Sequence, residues 1–252
     1  MDKPFSVTEV LADAWAIAKK NFWILIGFTA IQFVIIFIIT ALLASIFGGA
    51  SGAGVLLQNV ILSLFDAFFT VAFYQVFFKL IDEEGDPDFP DFVPNLMKAL
   101  NFLLVKLIIG LILVLLIAII SSVYFINTPD IDTSNPFSWD LLPVFVLIAI
   151  PIIFFTIRLC FVVCFIVDQD SGSSESISQS WTITKGHFGL ILVLFLIILG
   201  LNILGAMAFL LGLLFTVPFS SLILIIAYRH LVNNYTDEED ILLENPEEKN
   251  EN

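Results

Sequence analysis

The chain has 252 residues, of which 59% are hydrophobic, and its mean hydropathy is +1.02. A water-soluble domain averages about 45–50% apolar residues, so this composition argues against a soluble protein and predicts a membrane protein. The net charge of −14, which comes mostly from residues 82–91 and 236–252, argues against nucleic acid or anionic lipid surfaces as partners, because like charges repel. The composition indicates the lipid bilayer as a partner, with other membrane proteins or a bound lipid as further candidates.

A short amphipathic helix is predicted ahead of the first apolar run. Apolar side chains recur there at intervals of three and four residues, which places them along one face of a helix. We expect this helix to lie in the cytoplasmic headgroup layer, anchored by Trp15 and Lys19. The apolar face consists of Val7, Val10, Leu11, Ala14, Trp15 and Ala18.

Six long apolar runs follow and predict six transmembrane helices. Each run has about 20 residues, the length needed to cross the hydrocarbon core. The first run is too long for the hydrophobic part of a signal peptide, so we expect it to remain in the mature protein. The predicted spans cover residues 22–46, 55–78, 102–120, 141–167, 188–206 and 210–231.

The ten Lys and Arg residues predict the orientation of these spans. With a cytoplasmic N-terminus, all ten fall on the cytoplasmic side or in the cytoplasmic half of a span. The outer segments at 48–54 and 121–140 contain none. Because basic residues concentrate on the cytoplasmic side, the sequence predicts that both termini are cytoplasmic.

Two opposite charges are predicted to meet inside the membrane. Counting ~1.5 Å per helical residue places Asp66 and Arg158 at similar depths. A charge at that depth costs at least about 2.5–3.5 kcal/mol, so we expect the two to pair. The pair is either a structural link between helices or part of a ligand site. Lys106 lies closer to the cytoplasmic end of its span, and we expect it to reach the cytoplasmic surface.

Proline and cysteine residues inside the spans are interpreted as structural. Pro151 and Pro218 are predicted to kink or break the fourth and sixth spans. Cys160 and Cys164 are four residues apart and are expected to act as small packing residues, since no further soft metal ligands lie nearby.

The predicted first helix recurs later in the chain. Glu, Trp, Ile, Lys and Phe of residues 8–22 reappear 166 positions on, where Trp181, Lys185 and Gly186 stand immediately before the fifth span. A weaker match, without the Trp, falls at 92–103. The sequence therefore predicts an all-α fold of three hairpins, each preceded by a cytoplasmic interfacial helix. The units cover about 6–80, 90–167 and 174–231.

One membrane domain is predicted over residues 1–235, followed by an acidic tail at 236–252. A segment with so much charge and so few apolar residues is expected to be disordered. The chain carries no motif typical of a hydrolase, a nucleotide-binding loop or a paired metal site. We therefore predict no catalytic residue, no metal, no cofactor and no enzymatic activity.

The stretch from Arg158 to Leu192 resembles a bacterial polytopic membrane domain. That domain occurs alone and is also fused ahead of some glycerophosphodiester phosphodiesterases. The resemblance implies a six-span protein of the bacterial inner membrane in its stand-alone form, without the hydrolase. The matching residues are Arg158, Asp168, Ser180, Trp181, Thr184, Lys185, Gly186 and Pro218.

Two functions remain open from the sequence. The first is a non-enzymatic membrane protein that organises or assists other membrane components. The second is a small transporter or lipid-handling protein that uses a polar site around Asp66 and Arg158. A cavity reaching these residues favours the second function, whereas a bundle filled by its own side chains favours the first.

Overall fold

A computed structural model describes residues 5–47, 52–82, 87, 89–128, 139–208 and 211–244, with side chains to residue 234 except at 89 and 140. In these residues the regular elements are α-helices and two short 3₁₀ turns, Phe89–Phe92 and Trp139–Leu141. The α-helices are α1 Val7–Lys20, α2 Phe22–Phe47, α3 Ala53–Ile81, α4 Leu96–Asn127, α5 Leu142–Arg158, α6 Val162–Asp168, α7 Ser173–Ile183, α8 Phe188–Met207 and α9 Leu213–Glu244.

Six helical segments are long and apolar enough to cross a membrane, which confirms the predicted number of spans. Such helices satisfy all their backbone hydrogen bonds internally, as the absence of water in the bilayer requires. The segments are Phe22–Phe47, Ala53–Ile81, Pro90–Asn127, Leu142–Asp168, Phe188–Met207 and Leu213–Asn234.

The interfacial helix predicted before the third span is not a separate element. Asn95 caps the N-terminus of α4, because its side chain accepts a hydrogen bond from the Met97 backbone N–H at 2.9 Å. From Leu96 the helix then runs without a break to Asn127. The prediction is wrong here because this sequence contains no helix-ending signal between the expected interfacial helix and the span. α1 and α7, by contrast, are separate helices ahead of their spans.

The fourth span is interrupted at residues 159–161, between α5 and α6. Pro151 and Pro218 lie inside α5 and α9, and both helices continue through them. Of the predicted kink or break, a break is therefore wrong for both prolines and a kink stays a prediction, while the fourth span breaks after Arg158. After the break, every residue of α6 from Val162 to Val167 is buried.

The six spans pack in a closed order. α2 contacts α3 and α9, α4 contacts α3 and α5, and α8 contacts α5 and α9, so the first span touches the last. α1 packs along α9, while α7 packs against α4 and α6. α9 extends as a helix to Glu244, into the stretch predicted as an acidic tail.

Burial is concentrated at one end of the bundle. The main core combines α1 with α6, the second half of α3 and the middle of α9. The opposite ends of the spans are exposed, with Ile46, Leu56, Ile126 and Met207 all more than half accessible. Exposed apolar side chains of this kind suit contact with lipid acyl chains.

Candidate functional site

Asp66 forms an ion pair with Lys106, which links α3 to α4. The predicted pair between Asp66 and Arg158 is therefore wrong, and Lys106 does not extend to the surface alone as predicted. Counting along the helices gives depth but not the neighbouring helix, and α4 is the helix packed against α3 at this point. The two paired side chains remain 49% and 34% exposed.

Arg158 lies at the end of α5, where α7 packs against the break in the fourth span. Its guanidinium carbon is 5.3 Å from the centre of the Trp181 ring and 5.6 Å from that of Phe154. Nη1 donates long hydrogen bonds to the Trp181 carbonyl at 3.5 Å and to Thr184 Oγ1 at 3.4 Å. Nε is buried and has no hydrogen-bond partner among the described groups.

Ser180 of α7 holds the two sides of the break together. Its hydroxyl donates to the Arg158 carbonyl at 2.9 Å and accepts from the Phe161 backbone N–H at 3.3 Å. Buried backbone groups need such partners because an unsatisfied one costs free energy. The polar face of α7 therefore lowers the free-energy cost of interrupting the fourth span, because it supplies partners to the backbone groups at the break.

The anchors predicted in α1 lie on the surface of α9. Trp15 makes edge contacts with Phe215 and Phe219, with ring centres 6.0 and 5.8 Å apart. Lys19 places its ammonium group 5.7 Å from the centre of the Trp15 ring. A cation over an exposed aromatic ring is worth about 0.5–1 kcal/mol, so this is a modest anchor.

The predicted turn residues of the later copy connect α7 to α8. Lys185 and Gly186 are both exposed. Gly186 has a φ of +88°, a backbone conformation that favours glycine because a Cβ would crowd the chain there. The turn directs α8 away from α7 immediately after Thr184, the residue that contacts Arg158.

Sequence reasoning missed a charged network where α3, α6 and α9 meet. Arg229 pairs with Asp82 at 2.6 Å and with Asp168 at 3.2 Å. The Tyr228 hydroxyl donates to Asp168 at 2.8 Å, and the Arg229 guanidinium lies 4.9 Å from the centre of the Phe78 ring. The available signal was that both carboxylates directly follow apolar runs, while the arginine lies inside the last run.

An apolar cavity of about 270 Å³ opens among α4, α5, α8 and α9. Leu159 and Cys160 of the break form part of its wall. Ile109 and Leu113 of α4 form another part, three and seven residues beyond Lys106 and hence on the same helical face. The cavity thus lies on the face of α4 that carries the ion-paired lysine.

The fold and these sites define a multi-pass helical membrane protein with polar groups inside its spans. The chain belongs to the family described as "Protein of unknown function (DUF975)", which matches residues 16–235. Neither the curated proteins nor the solved structures contain a match to this chain. The resemblance to a phosphodiesterase-associated membrane region stays a prediction, because the family description makes no such link.

Proposed function

We propose that this protein is a non-enzymatic lipid-handling membrane protein that holds a zwitterionic lipid between its spans. The observation that carries the proposal is the partly exposed ion pair between Asp66 and Lys106. A pair that serves only to link helices is stabilised most when lipid and ligand are kept away from it. This pair instead leaves both charged groups accessible between apolar helices.

The pair has unused hydrogen-bonding capacity suited to a zwitterionic headgroup. An ammonium group has three donors, and a carboxylate accepts up to about four hydrogen bonds. Lys106 can therefore bind a phosphate oxygen while Asp66 binds an ammonium group, without separation of the pair. The lipid phosphate would lie beside the Lys106 ammonium and the lipid ammonium beside the Asp66 carboxylate, so that each charge inside the membrane, where it is costly, has an opposite charge next to it.

The neighbouring cavity supplies an apolar surface for the rest of the lipid. Its walls include Ile109 and Leu113, which share a helical face with Lys106. Ligand sites typically combine an apolar lining with a few polar groups that fix orientation. The ion pair and the cavity together provide this combination.

We propose a bacterial inner-membrane location with both termini cytoplasmic and the spans arranged as three hairpins. The support is that basic residues share one end of the bundle. Lys79 pairs with Asp91, and Lys98 donates to the Val167 carbonyl. These contacts join the end of α3 to the 3₁₀ turn Phe89–Phe92 and the start of α4 to the end of α6, as the basic-inside rule expects for the cytoplasmic end.

The test is native mass spectrometry of the full-length protein with added phosphatidylethanolamine. The double variant Asp66→Asn with Lys106→Gln removes both charges together, so neither is left unpaired. We expect it to lose most of the lipid that the wild-type protein retains. The control is Asn59→Ala, an exposed polar position on the same helix, which should retain lipid normally.

A folded double variant that keeps the wild-type amount of phosphatidylethanolamine overturns this proposal. Folding is checked by the midpoint of thermal unfolding in the same detergent. The single variants are expected to express less well than the double variant, because each leaves one charge without its partner.

A second function, assistance of other membrane proteins, is favoured by a cleft of about 300 Å³ between α6, α7 and α9. Gln169, Ser178, Gln179 and Thr182 line it, and Oε1 of Gln179 is buried without a hydrogen-bond partner in the described structure. A photoreactive residue at 179 is expected to crosslink a specific membrane protein in cells. The absence of such an adduct, with the exposed position Trp139 as control, contradicts this function.

A further inference from the structure

We propose that Arg158, held between Trp181 and Phe154, binds the phosphate group of an anionic lipid at the boundary of the membrane. This site is separate from the pair of Asp66 and Lys106, and it goes beyond the proposed function. It would hold a different class of lipid at the place where α7 meets the break in the fourth span.

The first argument is that the charge of Arg158 is not compensated within the described structure. Among the residues with described side chains, no carboxylate forms an ion pair with it. Arg229 provides the internal comparison, since it pairs with both Asp82 and Asp168. Among the described residues, carboxylates therefore pair with one half-buried arginine and not with the other.

The second argument concerns the donors of the guanidinium. An arginine has five N–H donors in a planar fork that matches phosphate geometry. Toward the described residues, Arg158 uses only Nη1, in two bonds of 3.4 and 3.5 Å to neutral oxygens. The rings of Trp181 and Phe154 hold the plane of the group in place, so its remaining donors are oriented before any ligand binds.

The third argument identifies the ligand as a lipid. Trp181 and Phe154 are 38% and 36% exposed, and Ile150 and Ile153 of the same helix are exposed as well. The guanidinium therefore lies beside an apolar surface and a tryptophan, the combination found at the membrane–water boundary. The greater depth predicted for Arg158 assumed an unbroken fourth span, and α5 ends at this residue. Lys185 is also exposed, directly after Thr184, and basic sites between spans on this side recruit anionic headgroups.

The corresponding place in α1 shows that the arginine is a specific addition. Trp181 contacts both Phe154 and Arg158, which are four residues apart on α5, and Trp15 contacts both Phe215 and Phe219, which have the same spacing on α9. Beside Trp15, the second of these positions is the aromatic ring of Phe219 on α9. The α5 position carries a cation instead, so packing alone does not account for Arg158.

The experiment measures binding of dioleoyl phosphatidylglycerol and dioleoyl phosphatidylcholine to the full-length protein by native mass spectrometry. We expect the wild-type protein to prefer the anionic lipid. Arg158→Gln should weaken that binding by about tenfold or more, as expected for loss of a charge-assisted bidentate contact worth about 1.4 kcal/mol or more. Arg158→Lys should restore part of the affinity, because it keeps the charge but not the fork.

Lys185→Gln keeps Arg158 and its packing, so it tests the site even where Arg158→Gln fails to fold. We expect it to lower the affinity for phosphatidylglycerol by about twofold to fivefold. Lys19→Gln, at the matching position of α1, should leave this affinity unchanged. Equal losses for the two lysine variants would indicate a general charge effect and overturn the proposal.

Two further outcomes complete the test. Competition by millimolar glycerol phosphate or inorganic phosphate would show a site for soluble phosphate and would overturn the assignment to a lipid. Retention of phosphatidylglycerol by the double variant Asp66→Asn with Lys106→Gln is expected, because that pair belongs to the other site. Failure of either lipid assay therefore leaves the other proposal standing.

Discussion

The first predicted unit, α1 to α3, and the third, α7 to α9, bury matching positions of their leading helices, but the buried residues differ in chemistry. Three fully buried positions of α1 have counterparts 166 residues later that are also fully buried, two in α7 and one at Thr184, directly after it. In α1 these residues are apolar, and their counterparts carry hydroxyl groups. The counterparts are Val10 and Ser176, Ala14 and Ser180, and Ala18 and Thr184.

The difference follows from the helices against which the two units pack. α1 packs on α9, which is one continuous helix through residues 213–234 and has no break of the kind that follows α5. α7 packs near the break after α5, where the Arg158 carbonyl and the Phe161 N–H both bond to Ser180. The same helix positions therefore make apolar packing contacts in α1, whereas in α7 they supply hydrogen bonds to the buried backbone groups at the break.

The largest expected effect concerns the close approach of α8 and α9 in the third unit. A Cβ added at Gly212 would lie 2.6 Å from the Gly205 carbonyl oxygen and 2.7 Å from its Cα. Because these are backbone atoms, they cannot move aside as a flexible side chain does. We expect Gly212→Ala to lower the free energy of unfolding by about 3 kcal/mol, the upper end for overpacking, measured by denaturation in detergent micelles.

Gly200→Ala is the matched control, since a Cβ at Gly200 meets nothing within 4 Å. We expect no loss of stability there, and a gain of up to about 1 kcal/mol from the better helix propensity of alanine. If Gly212→Ala and Gly200→Ala change the free energy of unfolding equally, the close approach of Gly205 and Gly212 does not contribute to stability as predicted.

The next prediction exchanges the middle residue of the buried stripes. Ser180→Ala leaves the Arg158 carbonyl and the Phe161 N–H without their side-chain partner. We expect a loss of about 2 kcal/mol, since each buried unsatisfied group costs about 1–3 kcal/mol and Thr184 Oγ1, at 3.5 Å from the same carbonyl, compensates in part. Thermal unfolding of the purified protein measures it.

The reciprocal change, Ala14→Ser, should cost less than about 1 kcal/mol. A serine within a helix can donate to the carbonyl four residues earlier, which here belongs to Val10. A larger loss of stability from Ala14→Ser than from Ser180→Ala would contradict the idea that α7 stabilises the break by hydrogen bonding to its backbone groups.

A smaller effect is expected at the turns that lead into the spans. Gly186 adopts a φ of +88°, and a side chain in a left-handed conformation costs roughly 1–2 kcal/mol. We expect Gly186→Ala to lose about 1 kcal/mol, because the exposed turn can relax. At Gly189, three residues further on, the φ is not left-handed and a Cβ would meet nothing within 4 Å, so Gly189→Ala should leave stability nearly unchanged. A scan of unfolding temperature separates the two variants.

The sequence was sufficient for the features that the bilayer itself dictates. The six spans and α1 could be predicted because apolar run length and helical periodicity depend on membrane thickness and on one helix at a time. The partner of Asp66 could not, because depth along a helix does not specify which neighbour stands beside it. Lys106 and Arg158 were both within range, and only the packing of α4 on α3 distinguishes them.

The break after Arg158 was hidden for a related reason. Residues 159–161 read Leu-Cys-Phe, without a proline or glycine that predicts a helix end. The sequence feature that accompanies the break is the set of hydroxyl side chains that interrupt the apolar face of α7. Their role cannot be inferred from the sequence, because it depends on the backbone groups of Arg158 and Phe161 that bond to Ser180 in the fold.

The smallest expected effect tests whether the two tryptophans are held with equal strength. Lys19 lies over Trp15 at the surface of the bundle, whereas Arg158 lies between Trp181 and Phe154. An exposed cation over a ring contributes about 0.5–1 kcal/mol, so we expect Lys19→Met to lower stability by about 0.5 kcal/mol. Chemical unfolding followed by tryptophan fluorescence is sensitive enough to measure this difference. A loss as large as that of Ser180→Ala would mean that α1 depends on its surface cation more than on its buried apolar stripe.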